Sequence, residues 1–150
     1  MLAMRRQRHF SVLIACRNRL SRELLARYIP DLWRASGDDR ECHAVALADP
    51  AYLANLQDLD EIVAASLPDV VVVNGQAACH VIPKLLARLP SLRILVYTQF
   101  ESDHIARGLL ALGACAVVNA SAEYESIVDG IRACLDEQHF VALPRTLPAI

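Results

Sequence analysis

The residues of this chain best placed to do chemistry are its thiols, its imidazoles and the polar residues that close its apolar runs. Five cysteines occur, Cys16, Cys42, Cys79, Cys115 and Cys134, an odd number without a CxxC pair. Cys42-His43 and Cys79-His80 are dipeptides of zinc-ligand type, but neither has a second ligand at a usual local spacing. No metal site is therefore expected. Unpaired cysteines in or beside apolar segments pack as small hydrophobes, which points to a reducing, cytoplasmic compartment. The polar residue that matters most is Asn74, which follows Val70-Val71-Val72-Val73. Four valines between Pro68-Asp69 and Asn74-Gly75 read as a strand apolar on both faces, a central parallel strand covered by helices. In such sheets the carboxyl ends of the strands line the crevice that holds ligand or chemistry. Here an uncharged amide stands at that end.

Length and composition bound the rest. A chain of 150 residues makes one domain with a proper core, and 55% apolar with 21% charged residues argues against disorder. A net charge of -2 gives no general drive towards nucleic acid or acidic membranes. Arg5-Arg6 ahead of Phe10–Cys16 imitates a signal peptide. However, the apolar part is at the short limit for one, and removing it would delete the first strand. No run approaches the roughly 20 apolar residues of a membrane span.

The elements that must position these residues alternate along the chain. Residues 1–9, with Arg5, Arg6, Arg8 and His9, read as a solvated leader. Strand one is Phe10–Ala15, and helix one runs from Leu20 to Ile29, where Pro30 is expected to stop it. A weaker strand covers Cys42–Leu47. An amphipathic segment runs from Asp49-Pro50 to Ser66 with Leu53, Leu56, Leu59, Ile62 and Val63 inward. After strand three a helix spans Ala77–Leu89, with Pro83 forcing a late start or a kink. Leu92–Tyr97 is strand four, ending at Thr98, and Ser102–Leu112 is a helix closed by Gly113. Cys115–Val118 is strand five and Ala122–Leu135 the last helix. Residues 137–150, with Pro144 and Pro148, read as a linker. The chain is thus α/β, with five strands and five helices in a three-layer sandwich.

At this point the residues suggest a family. The stretch from Phe10 to Phe140 resembles the receiver domain of bacterial response regulators, most closely the NarL/LuxR type. Four segments carry the resemblance, and their order and spacing are specific together: Val12-Leu13-Ile14 with Leu20-x-Arg22-Glu23-x-Leu25; Leu67-Pro68-Asp69 with the valine run; Leu92–Thr98; and Leu112-Gly113-Ala114. The resemblance implies a flavodoxin-like (βα)5 fold with a five-stranded parallel sheet in order 2-1-3-4-5. It spans a receiver-like domain at 10–136.

In that family an aspartate ending strand three accepts a phosphoryl group, two acids after strand one hold Mg²⁺, a Thr or Ser ends strand four and a Lys ends strand five. The metal and the lysine offset the charge that develops on the transferring group. Against that pattern Asn74 stands at the phosphoacceptor position, and Cys16 and Arg17 stand where the acidic pair belongs. Ala120 stands at the lysine position (Asn119 if the register slips by one), and Val117 at the aromatic switch position. Thr98 alone is retained. An amide cannot form the acyl phosphate, and Cys with Arg does not recruit a hard cation. The resemblance thus implies an atypical, phosphorylation-site-degenerate receiver.

Several residues keep two readings. Arg17 either fills the vacated metal site and hydrogen-bonds Asn74, or is exposed at a loop start. Cys16 is either a redox thiol beside Arg17 or a buried inert one. Thr98 either binds an oxyanion or caps the next loop, Tyr97 and Phe100 are interface or core residues, and His104 is a surface residue.

The expected function is that of a phosphorylation-independent regulatory and dimerisation module of a transcriptional regulator, not an enzyme, with no cofactor. There is no Gly-rich phosphate loop after strand one and no nucleophile with a nearby base. The homodimer is expected through helix one with helix five, or through the helix four–strand five–helix five face. DNA would be contacted only by an effector helix-turn-helix domain outside this sequence. The alternative is a stand-alone receiver whose neutralised pocket binds a small molecule, or which binds a protein partner.

Overall fold

A computed structural model describes residues 8–47, 59–100, 102–122 and 125–144. Its strands are β1 (His9–Ala15), β2 (Glu41–Ala46), β3 (Val70–Asn74), β4 (Arg93–Thr98), β5 (Ala116–Asn119) and β6 (Phe140–Ala142). Its helices are α1 (Arg19–Ala35), α2 (Leu59–Ser66), α3 (Gly75–Arg88), α4 (Asp103–Leu112) and α5 (Glu125–Leu135). All strand pairs are parallel, in the order β2-β1-β3-β4-β5-β6.

The four valines of β3 show why the sheet is buried on both faces. Side chains alternate across a strand, so Val71 and Val73 join one core and Val70 and Val72 the other. The first core lies under α2, α3 and α4, through Leu59, Val63, Ile82, Leu85 and Leu109. The second lies under α1 and α5, through Ile29, Trp33, Ile127 and Ile131. This is the three-layer sandwich expected, with the strand order expected for the first five strands.

Two readings are corrected. Pro30 does not stop the first helix, which continues through it to Ala35. An interior proline costs about 3 kcal/mol, from a lost hydrogen bond and a clash with the preceding turn. Burying a side chain such as Ile29 contributes roughly 1.5–3 kcal/mol, and Trp33 one turn on is buried as well. The two together outweigh the proline. The sheet also has six strands rather than five, because Phe140–Ala142 within the expected linker pairs with Ala116–Val118.

Other boundaries shift slightly. Helix α3 begins at Gly75, directly after the strand, and carries Pro83 inside it. Helix α4 has Ser102 as its N-cap, accepting the Ile105 N–H at 3.3 Å, and Gly113 beyond its end at φ 121°. The inward positions Leu53 and Leu56, and the Asp49-Pro50 start, lie outside the described residues. No described helix is long and apolar enough to cross a membrane.

Candidate functional site

The carboxyl ends of β1, β3, β4 and β5 converge on a cavity of about 480 Å³. The residues of interest stand at or just beyond these strand ends by simple register. Asn74 is the last residue of β3, paired with Tyr97, and Thr98 ends β4, paired with Asn119 at the end of β5. Cys16 and Arg17 follow β1 directly. Arg17 is the sole charged side chain, and no carboxylate occurs, among the described residues lining the cavity.

Asn74 is held by the loop after β1. Its Oδ1 accepts the backbone N–H of Arg17 at 2.5 Å. The bond that one of the two readings gave to the Arg17 guanidinium is thus made by the Arg17 main chain, and the residue is exposed, as the other reading had it. A different arginine is the buried one. Arg22, one turn into α1, is 6% exposed and donates Nη1 to the carbonyls of Cys16 (3.1 Å) and Arg17 (2.9 Å). It ties the helix to the loop ahead of it, whose N-cap Asn18 accepts the Ser21 N–H at 3.0 Å.

Cys16 is fully buried, and burial pushes its thiol up to about 12 against a smaller opposing effect of Arg22. It is therefore the inert thiol of the two readings, since the thiolate is the reactive form.

Thr98 and Asn119 are both buried, and both are committed to the loop after β4. The Thr98 hydroxyl accepts the Phe100 N–H at 2.9 Å, while Asn119 Nδ2 donates to the Phe100 carbonyl at 2.6 Å. Asn119 Oδ1 accepts the Ser121 N–H at 2.7 Å, and the Ala120 N–H donates to the Thr98 carbonyl at 2.8 Å. Thr98 thus caps its loop, the plainer of its two readings. Gly75 is required beside it, because a Cβ there would stand 2.8 Å from Thr98 Cβ and overlap the hydroxyl.

The remaining residues fall where strand alternation puts them. Val117 is buried in the core beneath α2, α3 and α4. Ala120 lines the cavity and is exposed, Phe100 is 40% exposed at its rim, Tyr97 is half-buried and His104 is exposed. Sequence reasoning missed Arg22 as a structural cation and gave Asn119 only as a slipped register. The polar residue closing a buried strand was the available signal for Asn119. For Arg22 there was none, because an arginine in a first helical turn is ordinarily solvated.

The zinc-type dipeptides do not meet. No cluster of three metal-capable side chains among the described residues includes Cys42, Cys79 or His80. Cys42 points into the core while His43 is exposed on the opposite face of β2.

No protein-family model matches the chain, and no curated protein matches it in sequence. Solved structures do. A LuxR-family two-component response regulator from Aurantimonas sp. SI85-9A1 superposes with a TM-score of 0.68 at 18% identity, over 88% of this chain and 89% of that one. An orphan response regulator of H. pylori gives 0.64 at 17% identity, over 86% and 98%. A pilus assembly-related protein named from Burkholderia pseudomallei gives 0.63 at 17% identity, over 91% and 97%. The chain has the fold of a response-regulator receiver domain, with a sixth strand at the β5 edge. The Mg²⁺ on which phosphoryl transfer depends in such domains wants several oxygen ligands, carboxylates first. The described lining of this cavity offers a guanidinium, amides and hydroxyls and no carboxylate, so it does not fit that ion.

Proposed function

We propose that this chain is a regulatory receiver that works without phosphorylation, by associating with a second copy of itself within a cytoplasmic transcriptional regulator. In this reading Asn74 replaces the phosphoacceptor, Cys16 and Arg17 the acidic pair, Ala120 the lysine and Val117 the aromatic switch, while Thr98 is retained. The observation that carries it is the absence of any carboxylate among the described residues around the cavity. Without a carboxylate there is neither a nucleophile for phosphoryl transfer nor a hard-cation site. Incubation with acetyl phosphate and Mg²⁺ leaves the intact mass unchanged. A phosphoryl adduct would overturn the reading.

Two features support α1 as the associating face. Leu20, Leu24 and Tyr28 form an i, i+4, i+8 stripe on α1 and are 65%, 41% and 50% exposed. At the other expected face β6 covers the outer edge of β5, so a partner cannot approach that strand directly. Light scattering over a concentration series then gives a dimer that Leu24→Glu returns to monomer. A dimer untouched by Leu24→Glu but broken by Ile105→Glu on α4 would move the interface to the second face.

The cavity supports a second reading, a small-molecule sensor. Its 480 Å³ lies in the range of small-ligand sites, and its single cation suits an anion. A saturable thermal shift with an anionic metabolite, lost in Arg17→Ala, would favour it.

A further inference from the structure

A second group of chemically able side chains lies at the opposite end of the sheet from the cavity. His9 opens β1 and pairs in register with Glu41, which opens β2. His43 is two residues beyond Glu41, and strand periodicity returns it to the same face. The result is one carboxylate between two imidazoles. His9 Nδ1 stands 3.0 Å from Glu41 Oε2, and His43 Nε2 stands 3.6 Å from Glu41 Oε1. The two rings lie with centroids 6.0 Å apart.

We propose that His9, Glu41 and His43 bind a divalent metal ion of the zinc, cobalt or nickel type. Two imidazole nitrogens and a carboxylate oxygen are ligands of borderline character, which such ions prefer over Mg²⁺ or Ca²⁺. One ligand atom from each residue lies within 4.8 Å of the other two. Bonds of about 2.0–2.1 Å in a tetrahedral site hold ligand atoms about 3.4 Å apart. The two imidazoles now contact different oxygens of Glu41, at 3.0 and 3.6 Å, so the rings and the carboxylate must turn to present three ligand atoms to one ion. Small rotations of exposed side chains achieve this without moving the backbone, which the β1–β2 ladder fixes.

The positions also suit an ion that arrives from solvent. The three side chains are 57% to 65% exposed, so binding strips little protein burial and leaves further coordination positions for water. The cluster is made by adjacent strands whose register is fixed along six paired residues. A bound ion therefore clamps the edge strand β2 to β1 at the ends where neither has another strand contact to spare. The site is independent of the cavity and of whatever that cavity does.

The test is calorimetric titration of the full chain with Zn²⁺, alongside its thermal midpoint with and without the ion. Binding of one ion per chain is expected, weakened by about tenfold or more in His9→Ala and in His43→Ala. Unchanged binding in Cys79→Ser is expected as well. The thermal midpoint rises with Zn²⁺ in the parent and in Cys79→Ser but not in the histidine variants. Imidazole NMR signals of His9 and His43 shift while those of His80, His104 and His139 stay. Circular dichroism of the variants, whose changes are all on the surface, confirms that they remain folded. No saturable binding, binding that survives both histidine variants, or binding lost in Cys79→Ser would each overturn the site.

Discussion

The Asn74 side-chain oxygen accepts the backbone N–H of Arg17, joining the end of β3 to the loop after β1. In the function proposed above, Asn74 replaces the phosphoacceptor and serves as a fastener between the ends of two strands. Asn74→Ala leaves that N–H without its partner and lowers stability by about 1 kcal/mol, a fall of roughly 2–4 °C in thermal midpoint for a domain of this size. Arg17→Ala keeps the bond, because the main chain makes it, and shifts the midpoint by less than about half as much. Equal losses in the two variants would mean that the Arg17 side chain is engaged.

Asn74→Asp keeps the acceptor and introduces a carboxylate into the cavity. It still gains no phosphoryl group from acetyl phosphate, because Cys16 and Arg17 supply no metal ligands. Intact-mass measurement decides this. An adduct in Asn74→Asp would mean that the rest of the phosphorylation machinery survives in another form.

Arg22 holds two carbonyls of the loop after β1 from a buried position. Arg22→Met removes a charge-assisted pair of bonds and costs about 2–4 kcal/mol in urea unfolding. Arg22→Lys recovers part of that, since one ammonium reaches one carbonyl at a time. A lysine variant no better than methionine would place the value of Arg22 in its packing rather than its hydrogen bonds.

At the far end of α1, the Asp38 carboxylate accepts Arg40 Nη2 at 2.8 Å and Arg132 Nε at 3.4 Å. Hydrogen bonding from Arg40, chiefly, holds its carboxyl well below the usual carboxylate range. A group depressed in the folded state stabilises the fold above its unfolded pKa, about 3.9 for Asp. That contribution drains away as pH falls through the lower folded value. Thermal midpoints should therefore drop on acidification from about pH 4 downward, and Asp38→Asn should flatten that part of the profile. An identical slope in the variant would assign the acid sensitivity to other carboxylates.

The thiols divide by environment. A hydrogen bond from Cys134 lowers the Cys115 pKa and raises that of Cys134, while burial pushes Cys42, like Cys16, up to about 12. Brief iodoacetamide treatment near neutral pH labels Cys115, together with exposed Cys79, and spares Cys16, Cys42 and Cys134 until the protein is unfolded. Cys134→Ala slows labelling at Cys115. Labelling of Cys16 in the folded protein would contradict its burial.

The sheet was legible because its signal is local. Four valines between turn residues admit few structures, and Gly113 announces the end of α4. What the sequence hid depends on contacts distant along the chain. Pro30 survives within α1 because Ile29 and Trp33 beside it are buried in a core shared with β1, β2 and α5. Phe140-Val141-Ala142 is too short to declare itself, and becomes a strand only by completing the edge of β5. At the cavity the strand-end residues were found in order, but their bonds were not. The contact of Asn74 with the main chain of Arg17, and the use of Asn119 to hold Phe100, depend on how strand ends far apart in sequence meet in space.

The added strand also fixes where the polypeptide leaves the sheet. Because β6 runs parallel to β5, with Ala142 opposite Val118, the chain emerges on the cavity rim beside Asn119 and the Phe100 loop it holds. The β5–β6 ladder ties the last strand to the strand end that carries Asn119, so β6 is part of the cavity's frame rather than a loose tail.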